Sequence, residues 1–118
     1  MHALDWPDTG AHLPKLADFE KEEALATTAA PVPGVYLLSR DGVVVYAGQS
    51  GDLKTRFRQH RKEATKVFHT ASFYRLGDEM SRLQTEGILI LYFLPKYNRG
   101  LNLGMAADRL WAVKWKRK

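Results

Sequence analysis

The chain of 118 residues contains no cysteine. Disulfide staples and thiolate metal sites are therefore excluded, and stability has to come from a packed core. One domain of this length can bury such a core unaided. Long apolar runs are also missing. The longest, GILILYFL at 87–94, is far short of the ~20 residues a helix needs to cross a bilayer. The opening stretch, MHALDWPDTG, has neither the basic leader nor the apolar segment of a secretory signal. These absences point to a soluble, cytoplasmic protein with no membrane partner. His2, His12 and His69 lack metal-ligand spacing. Acidic residues are scarce in the body. Residues 34–118 hold seven against sixteen basic ones, a net of +9, whereas residues 1–33 hold six against two, a net of −4. A basic body behind an acidic leader suits a polyanionic partner.

No internal repeat or heptad pattern is present. Residues 1–13 read as irregular. KLADFEKEEALA (15–26) favours a helix, with Leu16, Phe19, Glu23 and Leu25 forming a partial apolar stripe. TTAAPVPG ends it and acts as a linker. Gly34–Ser39 and Val43–Gly48 read as strands around an Asp41–Gly42 turn. Asp52 is a fitting N-cap for a helix from Leu53 to about Lys66. ASFYRL (71–76) reads as a third strand. Asp78 can cap a second helix from Glu79 to about Phe93, with Met80, Leu83, Gly87, Ile90 and Leu91 on or near one face. Pro95 stops it. AADRLWAVKW (106–115) reads as a short last helix, with Trp111 and Trp115 packing it on the body, before the basic tail KWKRK. The expected fold is α+β: a small three-stranded antiparallel sheet flanked by helices, in a β-β-α-β-α core, with an extra N-terminal helix and a short C-terminal one. Residues 1–32 would form an acidic extension, 33–103 the main domain, and 104–118 the short helix and tail.

Several residues stand apart from that scaffold. Tyr36 and Tyr46 lie on paired strands, each near a glycine. Around a tight turn they can fall almost opposite each other and project toward one spot, although strand tyrosines also serve as plain core filler. Gly48 would let a ligand approach the backbone. Arg56 and His60 are four apart and share one helix face. Arg suits phosphate, because its planar fork donates two hydrogen bonds at once. Arg58, Arg61, Lys62 and Lys66 read equally well as a solvated face. Glu86 sits mid-helix near the apolar stripe, where a carboxylate needs a partner, and a divalent cation is one candidate. Asn98 follows Pro95-Lys96-Tyr97 in a turn-like context.

GVY at 34–36 followed by VYAG at 45–48 resembles the paired motif of the GIY-YIG nuclease family. The remaining parts fall in that family's order: Arg56 ten residues after the second tyrosine, His60 one turn later, Glu86 on the next helix, and Asn98 twelve residues beyond it. The resemblance covers roughly residues 33–103. Val35 and Ala47 replace bulkier motif residues, and Gln49 stands where some excision-repair members carry lysine.

The resemblance implies a metal-dependent DNA endonuclease that hydrolyses phosphodiester bonds, one strand per active site. Its catalytic set would be Tyr36, Tyr46, Arg56, His60, Glu86 and Asn98. Glu86 would hold one Mg²⁺ (or Mn²⁺), and Arg56 would stabilise the transition-state phosphorane. Tyr36 would be the first candidate to handle the proton of the attacking water, with Tyr46 and His60 helping, and Asn98 would brace the site. Gly48, Gln49, Ser50, Lys54 and Arg58 would contact the substrate. DNA is the expected partner, with RNA left open, and a homodimer or larger assembly could cut both strands. The acidic leader would cap the domain, dock on it, or mimic DNA over its basic face. The alternative is a nucleic-acid-binding module with the same fold and little or no catalysis, which would bind in a salt-sensitive way without producing cuts.

Overall fold

The computed structural model describes residues 14–98. The expected last helix and basic tail lie outside them. Four strands form one sheet. They are β1 (Glu20–Lys21), β2 (Gly34–Arg40), β3 (Val43–Ser50) and β4 (Thr70–Arg75), in the order β1-β4-β2-β3. All the pairings are antiparallel. Asp41 and Gly42 both take positive φ, 52° and 78°. That backbone twist matches the flanking strands and closes the two-residue hairpin between β2 and β3.

Helices cover both faces of the sheet, so β2 is buried from Gly34 through Leu38 rather than on alternate residues. On one face Tyr36, Leu38 and Phe73 pack with Leu53 and Phe57 of α1 (Leu53–Glu63). On the other, Val35, Leu37 and Ala47 pack with Leu89 and Ile90 of α2 (Glu79–Phe93). Both helices start on aspartate. Asp52 accepts from the Thr55 N–H at 3.3 Å and from its hydroxyl at 2.8 Å, and Asp78 accepts from the Ser81 N–H at 2.8 Å. Both end on a left-handed residue, Ala64 and Leu94, and Pro95 follows the second.

The sheet has four strands, not three, because the segment expected as an N-terminal helix is not one. Two 3-10 turns, Leu16–Asp18 and Glu22–Leu25, flank the two-residue strand β1. The reason is where its apolar residues go. Leu16 and Phe19 pack on the α2 side of the sheet, whereas Leu25 is buried on the α1 side. The segment therefore passes around the β4 edge, pairing with it through Glu20↔Phe73 and Lys21↔Ser72. A straight helix offers one stripe and cannot reach both faces. Two ion pairs fasten this segment, Glu20 with Arg75 at 2.8 Å and Glu22 with Arg61.

The buried face of α2 also differs from the expected stripe. Arg82, Thr85, Gly87, Ile88, Leu89 and Ile90 are buried, while Met80 is exposed and Leu83 and Leu91 are half-buried. The helix is rolled so that a guanidinium rather than Met80 faces the sheet.

If residues 14–32 belong to the core, Leu25→Ala should cost about 2–4 kcal/mol in urea denaturation, the usual penalty for emptying a buried leucine site. Glu20→Ala should cost under about 1 kcal/mol, since its partner Arg75 is exposed. Equal, small effects would show that the segment merely rests on the surface.

Candidate active site

The site grows from the pairing of β2 with β3. Tyr36 stands opposite Gly48, and Leu38 opposite Tyr46. The two tyrosines, expected almost opposite each other, are therefore diagonal neighbours on one face. A register shift between Leu38 and Ser39 leaves Val45 as an extra residue in β3. Such bulges re-aim neighbouring side chains, and both Val45 and Tyr46 join the α1-side cluster.

Gly48 has a different use from the one its position implied. A Cβ there would lie 2.6 Å from both the Cζ and the hydroxyl oxygen of Tyr36. The glycine makes room for the Tyr36 ring, which lies across the partner strand with no exposed surface. Phe57 meets that ring edge-on at 5.2 Å between centroids. The hydroxyl lies 2.7 Å from Nε2 of His60, which α1 supplies one turn after Arg56. The Tyr36, Tyr46 and His60 rings thus form a triangle, with centroid separations of 6.0, 5.6 and 5.2 Å.

The electrostatics tie in two further groups. The Tyr36 phenol is held far above its ordinary value, chiefly by burial and then by Tyr46. Arg56 opposes the rise, while Glu86 and a hydrogen bond with Tyr46 add to it. Tyr36 therefore senses Tyr46, Arg56 and Glu86 at once, although these come from β3, α1 and α2. Its own shift runs opposite to the lowering that a neighbouring arginine alone would give, because desolvation outweighs Arg56. His60 is pushed down to about 4, first by burial and then by the charges of Lys66 and Arg56, with Glu63 opposing. It is a neutral imidazole at pH 7. With its proton on Nδ1, Nε2 accepts from the phenol. With the proton on Nε2, the phenol accepts and turns its own proton to Tyr46. Nδ1 is buried without a hydrogen-bond partner.

Asn98 is almost fully buried and clasps the backbone of β3. Its Oδ1 accepts from the Ala47 N–H at 2.9 Å, and its Nδ2 donates to the Ala47 carbonyl at 3.0 Å. One side chain thereby acts as a partner strand along the sheet edge, next to Tyr46 and Gly48. Tyr97 accepts from the Val67 N–H at 3.0 Å and ties down the loop after α1.

The residues expected to touch substrate are placed less uniformly. Gly48 is covered by Tyr36. Ser50 is buried, and its hydroxyl accepts from the Asp52 N–H at 2.9 Å. Gln49 accepts from Arg82 Nε at 3.0 Å. Lys54 reaches the Thr28 carbonyl at 3.5 Å, on the side of the N-terminal segment. Arg58 is exposed on α1. Lys66, read from the sequence as part of a solvated face, stands at the site instead. Lys66 Nζ lies 4.8 Å from the centre of the Tyr46 ring, a cation–π contact that no spacing rule foretells. Arg82 lies one helical turn before Glu86, and that i, i+4 spacing was its only available signal.

Among the described residues, no three His, Cys, Asp or Glu side chains gather as a ligand cluster. The carboxylate that bears on the Tyr36 phenol is that of Glu86, half-buried on α2. Such a donor set fits a hydrated, oxygen-preferring ion such as Mg²⁺, which keeps several of its waters, and does not fit an all-protein cage.

No family model matches the chain. Over 86 residues it is 33% identical to the UvrABC system protein C of Deinococcus radiodurans, a match taking in 68% of this chain and 13% of that protein. The chain thus spans a small part of that relative's length. Among solved structures it is similar to the GIY-YIG N-terminal endonuclease domain of UvrC from Thermotoga maritima bound to its catalytic divalent cation, magnesium. The TM-score is 0.52 at 27% identity, covering 59% of this chain and 88% of that one. A cation-bound point mutant of the same domain gives 0.52 at 28% identity, covering 59% and 87%.

The depressed His60 pKa has a testable sign. A histidine at about 4 when folded and about 6.5 when unfolded contributes stability that is complete above pH 6.5 and lost as pH falls through 4. Between pH 7 and 4.5 the wild type should lose about 2 kcal/mol more than His60→Gln in urea denaturation. Parallel pH profiles would show an ordinary, solvated imidazole.

Proposed function

The chain belongs to the GIY-YIG family, and on that premise we propose that it is a metal-dependent endonuclease hydrolysing DNA phosphodiester bonds, one strand per site. The observation that carries this reading is the convergence on one buried phenol. Tyr36 is bonded to a neutral His60 and senses Tyr46, Arg56 and Glu86. Packing alone does not call for two phenols, an imidazole, a guanidinium and a carboxylate drawn from separate elements.

Glu86 would hold the divalent ion, which when bound would polarise the phosphoryl oxygen and stabilise the leaving 3′-oxygen. The protein's own groups then divide the remaining work. Arg56, exposed on α1, donates to the non-bridging oxygens as charge builds on phosphorus. Tyr46 is half-buried while Tyr36 has no exposed surface. Tyr46 is therefore the phenol that can meet the attacking water, and Tyr36 the link behind it. A proton passed inward runs from Tyr46 to Tyr36 and on to His60 Nε2. Burial first, and then the charges of Lys66 and Arg56, hold His60 neutral in the free protein. A phosphate seated between those cations offsets them, so the imidazole becomes a better acceptor when substrate is present. Asn98 keeps β3 fixed beneath both phenols.

A double-strand break would need two such sites, from a dimer or from successive nicks. Purified protein with Mg²⁺ or Mn²⁺ should nick supercoiled DNA. Glu86→Gln should abolish nicking while leaving the far-UV spectrum unchanged, and Tyr46→Phe should slow it by 10²-fold or more, the scale of a lost proton-transfer group. Salt-sensitive DNA binding with no product under either metal would favour the non-catalytic binding module instead.

A further inference from the structure

Lys66 comes to the site from the loop after α1, and that loop is fixed on both sides of it. Ala64, in the left-handed region, donates its N–H to the His60 carbonyl at 3.2 Å. The Val67 N–H donates to the Tyr97 hydroxyl at 3.0 Å. Phe68 packs on the α1-side cluster, with its ring centroid 6.5 Å from that of His60. The lysine between these anchors is half-buried, and its Nζ lies 4.8 Å from the centre of the Tyr46 ring.

This placement has a cost that packing does not explain. An ammonium is a compact, strongly hydrated charge, and half-burial strips part of its water. A ring face returns little of that at a partly exposed position. The charge also works against a neighbour. After burial, Lys66 is the largest cause of the depressed His60, ahead of Arg56. An apolar side chain would cover Tyr46 without either penalty. A phosphate reverses the balance, because it accepts a charge-assisted hydrogen bond from the ammonium and offsets the charge that His60 feels. Arg56 bears on the same imidazole from α1. The two cations thus come from separate elements to one place, beside Tyr46, the phenol assigned to the attacking water.

We propose that Lys66, set in place by Tyr97 through Val67, donates from Nζ to the DNA phosphate that Arg56 holds, as a second protein ligand of that phosphate. The inference rests on the nuclease reading for its polyanion but does not need cleavage to occur. The turn at residues 95–98 thereby serves twice. Asn98 fixes the strand that carries Tyr46, and Tyr97 fixes the loop that carries Lys66. A donor held in this way has less freedom to lose on binding.

The test is binding of the full chain to a short labelled duplex in EDTA, followed by fluorescence anisotropy across a salt series. Lys66→Met should weaken binding about tenfold at moderate salt and reduce the log Kd–log salt slope by about 0.9, the release expected for one phosphate contact. Lys66→Arg keeps the charge and should keep the wild-type slope. Tyr97→Phe should weaken binding about threefold in the wild type and not at all in the Lys66→Met background, since it acts through the lysine. Acetylation by an N-hydroxysuccinimide ester, read by mass spectrometry, locates the contact. Saturating duplex should protect Lys66 relative to Lys15 and Lys21, both exposed on the N-terminal segment. That measurement uses the wild type alone, so it decides the matter should Lys66→Met fail to fold. An unchanged slope in folded Lys66→Met, a Lys66 still open to acetylation in the complex, or a Tyr97→Phe loss that persists without the lysine overturns the proposal. So does a Lys66→Met that is less stable in urea yet binds like the wild type, the signature of a lysine that only packs on Tyr46. A wild type that does not bind DNA overturns it as well. A wild type that binds with these slopes but never cuts would overturn the nuclease reading and leave this contact standing. A wild type that nicks DNA, with Lys66→Met matching it in slope, would do the reverse.

Discussion

The contact between the Tyr36 ring and Gly48 governs the rest of the site. Only a residue without Cβ lets that ring cross β3, and only from there does the hydroxyl come within 2.7 Å of His60 Nε2. The ring is at the same time a core residue, packed against Phe57. On the proposed reading, stability and chemistry share one side chain. The phenol is held by packing, and on that reading little would have to be reordered for a substrate. Asn98 completes the constraint by fixing the edge of β3 through both polar atoms of Ala47.

Charge is partitioned around this centre. The acidic N-terminal segment is docked, with Glu20 on Arg75 and Glu22 on Arg61. It thereby neutralises two of the basic residues in the body. Around the phenols, burial and then the charges of Lys66 and Arg56 depress His60. The N-terminal side of the molecule presents paired ions. The docked segment thus caps the β4 edge of the sheet. It does so through exposed ion pairs that are individually weak, with Leu25 supplying the buried anchor.

Much of this was legible in the sequence, where local chemistry decides the outcome. Asp41–Gly42 foretold the hairpin, and Asp52 and Asp78 foretold both helix starts, because turns and caps are set by one or two residues. The elements from β2 to α2 follow in the expected order. What could not be read was whatever depends on tertiary context. The N-terminal segment had helix-forming composition, yet its apolar residues had to reach opposite faces of the sheet, and the pairing of β1 with β4 prevailed over propensity. The diagonal placement of Tyr36 and Tyr46 came from a bulge at Val45, which leaves no mark in the alternation of β3. Arg82 was hidden because a guanidinium on a helix is normally solvated. Its burial follows from the roll of α2, which Met80 misrepresented. Lys66 stands over Tyr46 only because the loop after α1 folds back.

Glu86 bears on the Tyr36–His60 pair, and on the proposed reading a divalent ion seats beside them. Paramagnetic broadening by Mn²⁺ in the amide NMR spectrum reads that directly, without relying on catalysis. Substoichiometric Mn²⁺ should broaden resonances around Glu86, Tyr36, Tyr46 and Arg56 first, and Glu86→Gln should remove the effect while the remaining spectrum stays folded. Broadening centred elsewhere on the protein, or broadening at these residues that survives Glu86→Gln, would contradict it.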